Sequence, residues 1–350
     1  MPTLILTGGG TAGHCTPHLA LLPYLKKDFD KIYYIGSYNG IEKDIVKNAG
    51  LEYYGVSTTK LNRKFSLNNF SIPFKLLKGI RESGKILDEL KPDVIFSKGG
   101  FVSLPVVIAG HKRNIPIIAH ESDLTVGLAN KISSKFCKKI LTSFPTTAKE
   151  IKNGEYVGSP IRVSLDKNDV DNYKHFGFTG KKPVLLVLGG SLGAKFINDI
   201  IRASLGEILP NFDVIHVVGK GNLKNVSKDG YYECEFLSNI ELAYSVCSVC
   251  ISRAGSNTIF ELLSLNLPCL LIPLPKGVSR GDQVDNSEYF QKLGLTYVLT
   301  QDQVTKESLL LYLNAVYANR FNIKRNIKAS GIKDASPIIS RIIADSMKVR

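Results

Sequence analysis

Short runs of apolar residues recur along the chain, separated by longer stretches in which apolar positions return every three or four residues. Runs at Thr3–Thr7, Lys31–Ile35, Asp93–Ser97, Ile115–His120 and Lys139–Thr142 predict buried parallel strands, and the stretches between them predict helices. This βαβ series halts at Gly158-Ser159-Pro160 and a polar stretch that runs to Lys182. It restarts at Pro183–Leu188 and continues through Val214–Val218, Val246–Ser252 and Pro268–Ile272. The pattern predicts an α/β fold with two Rossmann-like, doubly wound domains, residues 1–163 and residues 164–335.

The halves share a local signature. The first strand of one leads into Gly9-Gly10-Thr11-Ala12-Gly13, and the first strand of the other into Gly189-Gly190-Ser191-Leu192-Gly193. Glycines in a strand-to-helix turn let backbone approach a ligand and aim helix N-terminal N–H groups at an anion such as pyrophosphate. One such turn is a weak signal, because tight turns need glycine whatever they bind. Two, each heading an α/β unit, predict domains facing a ligand cleft at the carboxyl ends of their sheets. The chain lacks G-x-x-x-x-G-K-[ST], which argues against a P-loop NTPase. Its first turn also lacks the combination of G-x-G-x-x-G with an acidic residue about twenty positions on that marks nicotinamide binders.

Length and composition fit two globular domains: 350 residues, 44% hydrophobic and 22% charged. The first apolar run is too short for a secretory signal and no run reaches the ~20 residues of a spanning helix, so the expectation is a cytoplasmic chain. Six cysteines lie mostly in apolar stretches and read as buried thiols; the single C-x-x-C at Cys247 and Cys250 lacks a second pair, so no metal is expected. The net charge of +14 is uneven: the first 163 residues carry 23 Lys and Arg against 13 Asp and Glu, the remainder 22 against 18. Such an excess suits nucleic acid, an anionic membrane or a phosphorylated ligand, and charge alone does not choose among them.

Polar residues gather where the strands end. His14 follows the first glycine turn and could serve as general base on a hydroxyl, or simply hydrogen-bond a ligand phosphate or the loop. A further turn, Lys98-Gly99-Gly100-Phe101-Val102-Ser103, ends the Asp93–Ser97 strand, and His120-Glu121-Ser122-Asp123 ends the next. Glu121 and Asp123 could supply a base or acceptor contacts; equally, Ser122 or Asp123 could cap a helix. In the second half, Ser252-Arg253-Ala254-Gly255-Ser256-Asn257-Thr258 precedes a helix predicted to start at Gly255 or Ser256, with Glu261 inside it. Its N–H groups and hydroxyls suit a diphosphate, and a carboxylate can accept from both ribose hydroxyls. Gln283, in Gly281-Asp282-Gln283-Val284-Asp285-Asn286, could read a sugar's hydroxyls.

Taken in order, the chain resembles the MurG family of bacterial N-acetylglucosaminyltransferases. The likeness rests on GGTAGH at 9–14 with Pro17, KGGFVSLP at 98–105, HESD at 120–123, VGSPIR at 157–162, GGSLGA at 189–194, SRAGSNTIFE at 252–261 and DQVDN at 282–286. It implies the two-domain GT-B architecture, with an amino-terminal acceptor domain, a carboxy-terminal UDP-GlcNAc domain and a last helix, about 336–350, packing back on the first. It also implies inverting, metal-independent and cofactor-free transfer of GlcNAc to the 4-hydroxyl of lipid-linked MurNAc-pentapeptide, converting lipid I to lipid II at the cytoplasmic face of the membrane. Carried over by motif, Arg162 and Ser191 resemble diphosphate or sugar contacts. Arg253, Gly255, Ser256 and Thr258 resemble the donor cradle, with Glu261 on the ribose, Gln283 on the GlcNAc and the Leu237 backbone on the uracil. Thr11, Ala12, Gly13 and His14 resemble the acceptor-side loop. Two positions depart from the family pattern: His120-Glu121-Ser122-Asp123 replaces the commoner H-E-Q-N, and Ala12 stands where glycine is usual.

The alternatives are a related UDP-sugar transferase acting on another lipid such as diacylglycerol and, on charge alone, a nucleic-acid-binding protein. The latter lacks any base-stacking or helix-docking motif here, so no nucleic-acid partner is expected. The basic excess instead points to an anionic membrane surface. Lys60, Arg63, Lys64, Lys75, Lys78, Arg81 and Lys85, against Glu82 alone, interleave with Phe65, Phe70, Ile72, Phe74, Leu76, Leu77 and Ile80, a composition suited to the headgroup boundary. The competing reading makes Leu76, Leu77, Ile80 and Leu87 the core face of an ordinary helix.

Overall fold

A computed structural model describes residues 1–59, 72–162, 171–190, 193–278 and 280–347. The chain divides into two compact units: residues 1–162 with 334–350, and residues 163–333.

The first unit runs β1 (Thr3–Thr7), α1 (Thr16–Leu25), β2 (Lys31–Ser37), α2 (Glu42–Asn48), β3 (Glu52–Val56) and α3 (Ile72–Leu90). It continues with β4 (Val94–Ser97), α4 (Leu104–His111), β5 (Ile117–Glu121), α5 (Leu128–Ser133), β6 (Lys139–Thr142), α6 (Pro145–Glu150) and β7 (Gly154–Tyr156). The second unit starts with α7 (Asp171–His175), β8 (Val184–Leu188), α8 (Lys195–Ala203), α9 (Leu205–Ile208), β9 (Asp213–Val217), β10 (Tyr231–Cys234) and α10 (Ile240–Val246). It closes with β11 (Cys247–Ser252), α11 (Ser256–Ser264), β12 (Cys269–Leu271), α12 (Asp282–Lys292), β13 (Tyr297–Val298), α13 (Lys306–Ala318) and α14 (Arg320–Ser330); α15 (Ser336–Ala344) belongs to the first unit.

All strand pairs are parallel, in the orders β3-β2-β1-β4-β5-β6-β7 and β10-β9-β8-β11-β12-β13. Central strands such as β1, β4, β5 and β8 are buried along their whole length, because helices cover both faces of a parallel sheet, and they therefore read as unbroken apolar runs. The strands that the apolar pattern misses, β3, β7, β10 and β13, are the sheet edges. Edges are covered less completely: β7 has no buried residue and β10 only Tyr231. In each sheet the chain reverses direction of growth once, between β1 and β4 and between β8 and β11. At such switch points the loops leaving neighbouring strands part and open a crevice beyond their carboxyl ends.

After crossing the second unit, the chain returns to the first through a polar clasp. Asp334 Oδ1 accepts from the Ile161 N–H (2.9 Å), the Ser336 N–H (2.8 Å) and the Ser336 hydroxyl (2.6 Å), while the Ala335 N–H donates to the Ser159 oxygen (3.1 Å). Beyond it α15 inserts Ile339 and Ile343, both fully buried, among Leu21, Leu22 and Leu25 of α1. This helix thus completes the core on one face of the first sheet. Ile343→Ala is expected to lower stability by about 2–5 kcal/mol through lost burial and a cavity. Denaturant unfolding of the full chain measures it, and a loss below 1 kcal/mol would show that the helix is dispensable to that core.

Candidate functional site

The switch point of the first unit sets two glycine turns side by side. Thr7 pairs with Ser97 at the ends of β1 and β4, and the Lys98 N–H still donates to the Thr7 oxygen (2.9 Å) before the strands diverge. The Gly99-Gly100 turn then packs on the loop after β1. A Cβ at Gly100 (φ +77°) would lie 2.5 Å from the Gly9 oxygen and 3.3 Å from His14 Nδ1, so only glycine fits this approach. Ala12–His14 form a single 3-10 turn ahead of α1, with the His14 N–H on the Thr11 oxygen (3.1 Å) and His14 Nδ1 3.0 Å from Thr11 Oγ1. His14 is half-buried and Thr11 exposed.

Glu42, which the sequence reading did not single out, anchors this loop. Fully buried at the start of α2, it accepts at Oε2 from the Gly10 N–H (3.2 Å) and at Oε1 from the Ser37 N–H (3.0 Å) and hydroxyl (2.5 Å). An acid in a first helical turn is ordinarily a solvated partner of the helix dipole, so nothing in the sequence marks it as a clamp. From the other side, the Tyr34 hydroxyl donates to the Gly8 oxygen (2.8 Å).

At the end of β5 the His-Glu-Ser-Asp run is divided between distinct tasks. Lys98, 2% exposed, places Nζ 2.7 Å from His120 Nδ1 and 2.6 Å from Ser122 Oγ. His120 Nε2 lies 2.9 Å from the Gly158 oxygen; with the proton on Nε2, the ring donates there and accepts from Lys98. Burial, and then the charge on Lys98, hold His120 well below its ordinary pKa, so this imidazole is neutral. Burial likewise pushes His18, beneath the same turns, down to about 3. Glu121 is buried and its carboxylate accepts from the Asp123 N–H (3.1 Å), the Gly127 N–H (2.9 Å) and the Asn130 amide (2.9 Å). That bonding makes Glu121 the framework of the 122–127 loop. No helix begins at Ser122 or Asp123: α5 starts six residues after Ser122, with Gly127 as its N-cap.

In the second unit the switch point opens a cavity of about 410 Å³. Its walls bring together Gly190, Gly193, Arg253 and Gly255 from the loops that leave β8 and β11, Thr258 from the first turn of α11 and Gln283 from α12. The α11 helix starts at Ser256 with Gly255 as an extended N-cap, which turns the first helical N–H groups to the end of the sheet. Arg253 is 8% exposed, and burial lowers its pKa. Nη1 donates to the Ile272 (3.1 Å) and Pro273 (3.2 Å) oxygens and Nη2 to Gln301 Oε1 (2.8 Å), so the guanidinium also braces the loop after β12. Gln283 Oε1 accepts from the Leu274 N–H (3.0 Å), which commits its carbonyl end and leaves the NH₂ as the reading end.

Other sequence-predicted residues stand outside this lining. Ser256 is buried, Glu261 Oε2 accepts from the Tyr244 hydroxyl (3.3 Å), Leu237 is buried, and Arg162 is exposed at the end of the first unit's long segment. Ser191 lies outside the described residues. Gln301 and Lys195 also line the cavity and were not anticipated: Gln301 comes from a 3-10 turn far along the chain, and Lys195 opens α8 like any solvated helix residue. Among the described residues no group of three His, Cys, Asp or Glu is placed to hold a metal, and the six cysteines are unpaired.

Glu42→Ala is expected to lower stability by about 1–3 kcal/mol, because the part-buried N–H groups of Gly10 and Ser37 lose their acceptor. Amide exchange at Gly10 and Ser37 should quicken while the helical signal persists. Unchanged protection at both amides would refute the clamp.

Comparison with known proteins follows from these sites. Residues 4–142 match the glycosyltransferase family 28 N-terminal domain, and residues 184–342 the glycosyltransferase family 28 C-terminal domain. A protein of Clostridium botulinum (strain Langeland), named UDP-N-acetylglucosamine--N-acetylmuramyl-(pentapeptide) pyrophosphoryl-undecaprenol N-acetylglucosamine transferase, is 47% identical over 97% of this chain and 99% of its own. A protein of the same name from Clostridium tetani is 46% identical over 95% of this chain and 94% of its own. Among solved structures, Acinetobacter baumannii MurG aligns with a TM-score of 0.77 at 22% identity, covering 98% of this chain and 99% of that one. The glycosyltransferase of kitacinnamycin aligns at 0.72 and 14%, covering 99% of this chain and 100% of that one.

Proposed function

The chain belongs to glycosyltransferase family 28, and we propose that it transfers N-acetylglucosamine from UDP-N-acetylglucosamine to undecaprenyl-pyrophosphoryl-MurNAc-pentapeptide, forming lipid II for peptidoglycan synthesis. The observation that carries the reading is the cavity at the β8/β11 switch point, where glycine-turn backbone, a helix N-terminus, a buried arginine and an amide converge on a space suited to a sugar diphosphate. The second unit is the donor domain and the first the acceptor domain.

In this mechanism the acceptor's 4-hydroxyl oxygen attacks the anomeric carbon of GlcNAc as the bond to the UDP oxygen breaks, inverting that centre. The hydroxyl proton passes to His14, and UDP departs with the bonding pair. His14 suits the task when Nδ1–H donates to Thr11 Oγ1, since that tautomer puts the lone pair on Nε2. Charge growing on the leaving diphosphate is met by the backbone of Gly190 and Gly193, the first turn of α11 and Arg253, with Ser191 and Arg162 assigned to diphosphate or sugar contacts. Gln283 holds the GlcNAc, Glu261 the ribose and the Leu237 backbone the uracil; Ser256 and Thr258 complete the cradle. Thr11, Ala12 and Gly13 shape the acceptor loop beside Asp123, and Glu121 acts by holding that loop rather than by taking a proton.

The purified chain should convert radiolabelled UDP-GlcNAc and a lipid I analogue to labelled lipid II while leaving diacylglycerol unmodified. His14→Ala should lower turnover about 100-fold or more with UDP affinity unchanged. Transfer to diacylglycerol alone would overturn the acceptor assignment, and near-normal turnover of the variant would remove His14 from the role of base.

Attachment to the cytoplasmic face of the membrane, as a peripheral protein, is assigned to α3. No helix among the described residues is long and apolar enough to cross a membrane. The buried positions of α3 are Gly79, Ser83, Gly84 and Leu87, with Ile80 partly buried against the same core, so of the face that the competing sequence reading requires Ile80 and Leu87 face the core and Leu77 does not. Gly79 sits against the Ser57 oxygen and Pro105, a close approach that leaves Phe74 and Leu77 on the outer side. Phe74 is 76% and Leu77 55% exposed, beside exposed Lys75, Lys78, Arg81 and Lys85. Lys60, Arg63, Lys64, Phe65 and Phe70 lie outside the described residues. Each basic residue near anionic lipid contributes about 1 kcal/mol. Lys75→Glu with Lys78→Glu should therefore reduce co-sedimentation with anionic liposomes at low salt while sparing turnover of a short-chain soluble acceptor. Undiminished, salt-insensitive binding would exclude the electrostatic attachment.

A further inference from the structure

We propose that Lys98 is a positioning residue for the acceptor: its buried ammonium, held by His120 and Ser122 at the end of β5 beside the switch point that carries the two glycine turns, favours the acceptor's diphosphate at those turns. The inference rests on the acceptor assignment above and extends it to a residue and a ligand group.

The first argument is topological. Lys98 is the residue after β4 at the β1/β4 switch point, and its N–H donates to the Thr7 oxygen that ends β1 (2.9 Å). Arg253 is the residue after β11 at the β8/β11 switch point, and its N–H donates to the Leu188 oxygen that ends β8 (3.3 Å). Each follows a buried serine, Ser97 or Ser252, each is buried, and each adjoins a glycine turn. Arg253 lines the cavity assigned to the donor diphosphate. Both units thus put a cation at the same point of the same topology.

The second argument is energetic. Withdrawing an ammonium from water costs several kcal/mol unless charge or hydrogen bonds offset it. The atoms that hold Lys98 Nζ, His120 Nδ1 and Ser122 Oγ, are uncharged, and the charges of Glu121 and Asp123, neither of them bonded to Nζ, offset the cost of burial only in part. A buried cation whose burial is only partly offset in this way, at the end of a parallel sheet, is stabilised further by an anion docking at the adjoining turn.

The charge is also conditional. Burial depresses Lys98 to about 7, with the carboxylates of Glu121 and Asp123 acting in the opposite direction. The other basic groups packed there, His18 from α1 and His120 from β5, are held neutral by burial and by Lys98 itself. His14, beyond His18, is assigned to the proton rather than to the diphosphate. Below neutral pH Lys98 is charged and attracts the diphosphate; above it the attraction fades. The acceptor's diphosphate, esterified at both ends, keeps its charge across this range.

The test measures dissociation constants of the full chain for a short-chain lipid I analogue and for a matched MurNAc-peptide without the diphosphate, at about pH 6 and about pH 8.5. Wild type should bind the diphosphate analogue about tenfold tighter at the lower pH, and Lys98→Met should bind it weakly at both. Lys98→Arg should retain tight binding at the higher pH, while the diphosphate-free analogue responds to neither pH nor substitution. A folded Lys98→Met with wild-type affinity and wild-type pH dependence overturns the proposal. If that variant does not fold, wild type decides alone: equal binding of the diphosphate analogue at both pH values, with turnover of lipid I intact, overturns the role of Lys98 and leaves the transferase reading standing. Failure of wild type to bind or turn over either analogue overturns the acceptor assignment itself.

Discussion

The sites depend on one constraint: a parallel sheet that grows outward in both directions from a central strand must part its loops somewhere, and it parts them beyond the carboxyl ends of the two strands at the switch point. In the first unit those strands are β1 and β4, in the second β8 and β11. The loops that carry the glycine turns and Lys98 emerge at the first, and those that carry the second glycine turn and Arg253 at the other. Hydrogen bonding of the strands fixes these residues to within a peptide unit, since the last ladder bonds, Lys98 to Thr7 and Arg253 to Leu188, end where the chemistry begins.

Having opened such a crevice, the fold has to hold glycine-rich backbone in one shape without side chains of its own. Buried polar groups from below do this. Glu42 ties Gly10 to the end of β2, Tyr34 holds the Gly8 carbonyl, and Glu121 frames the loop that carries Asp123. In the second unit Gly193 (φ +74°) rests on the Val218 carbonyl, which in turn accepts from the Asn198 amide; Asn198 Oδ1 is bonded to His216, and His216 to the Tyr231 hydroxyl. Each charge or dipole buried in this way would be unfavourable alone, and each is satisfied by backbone groups or by a neighbouring polar side chain.

The same economy explains why residues assigned to binding also serve as struts. Arg253 divides its donors between two carbonyls and Gln301, and Gln283 fixes one end of its amide on Leu274. A side chain already locked in its rotamer loses little entropy when the ligand arrives, so bracing the loop and preorganising the site are the same act.

The chain's own order of residues determined the division into two α/β units, the central strands and the two glycine turns. Those features are local: a strand covered on both faces is apolar throughout, and a turn at positive φ with backbone packed close against it favours glycine. Tertiary structure decided the rest. The edge strands β3, β7, β10 and β13 are partly solvated, so their sequences carry no unbroken apolar run, and only pairing with a neighbour made them strands. Leu77 reads as core by spacing, yet the contact of Gly79 with Ser57 and Pro105 turned it outward. Glu42, Gln301 and Lys98 look in sequence like solvated polar residues, and became a clamp, a brace and a buried cation because strands distant in the chain end side by side. Hydrophobic periodicity reports which face of an element is covered; it carries no record of what lies across the crevice, and that is where a polar side chain acquires its role.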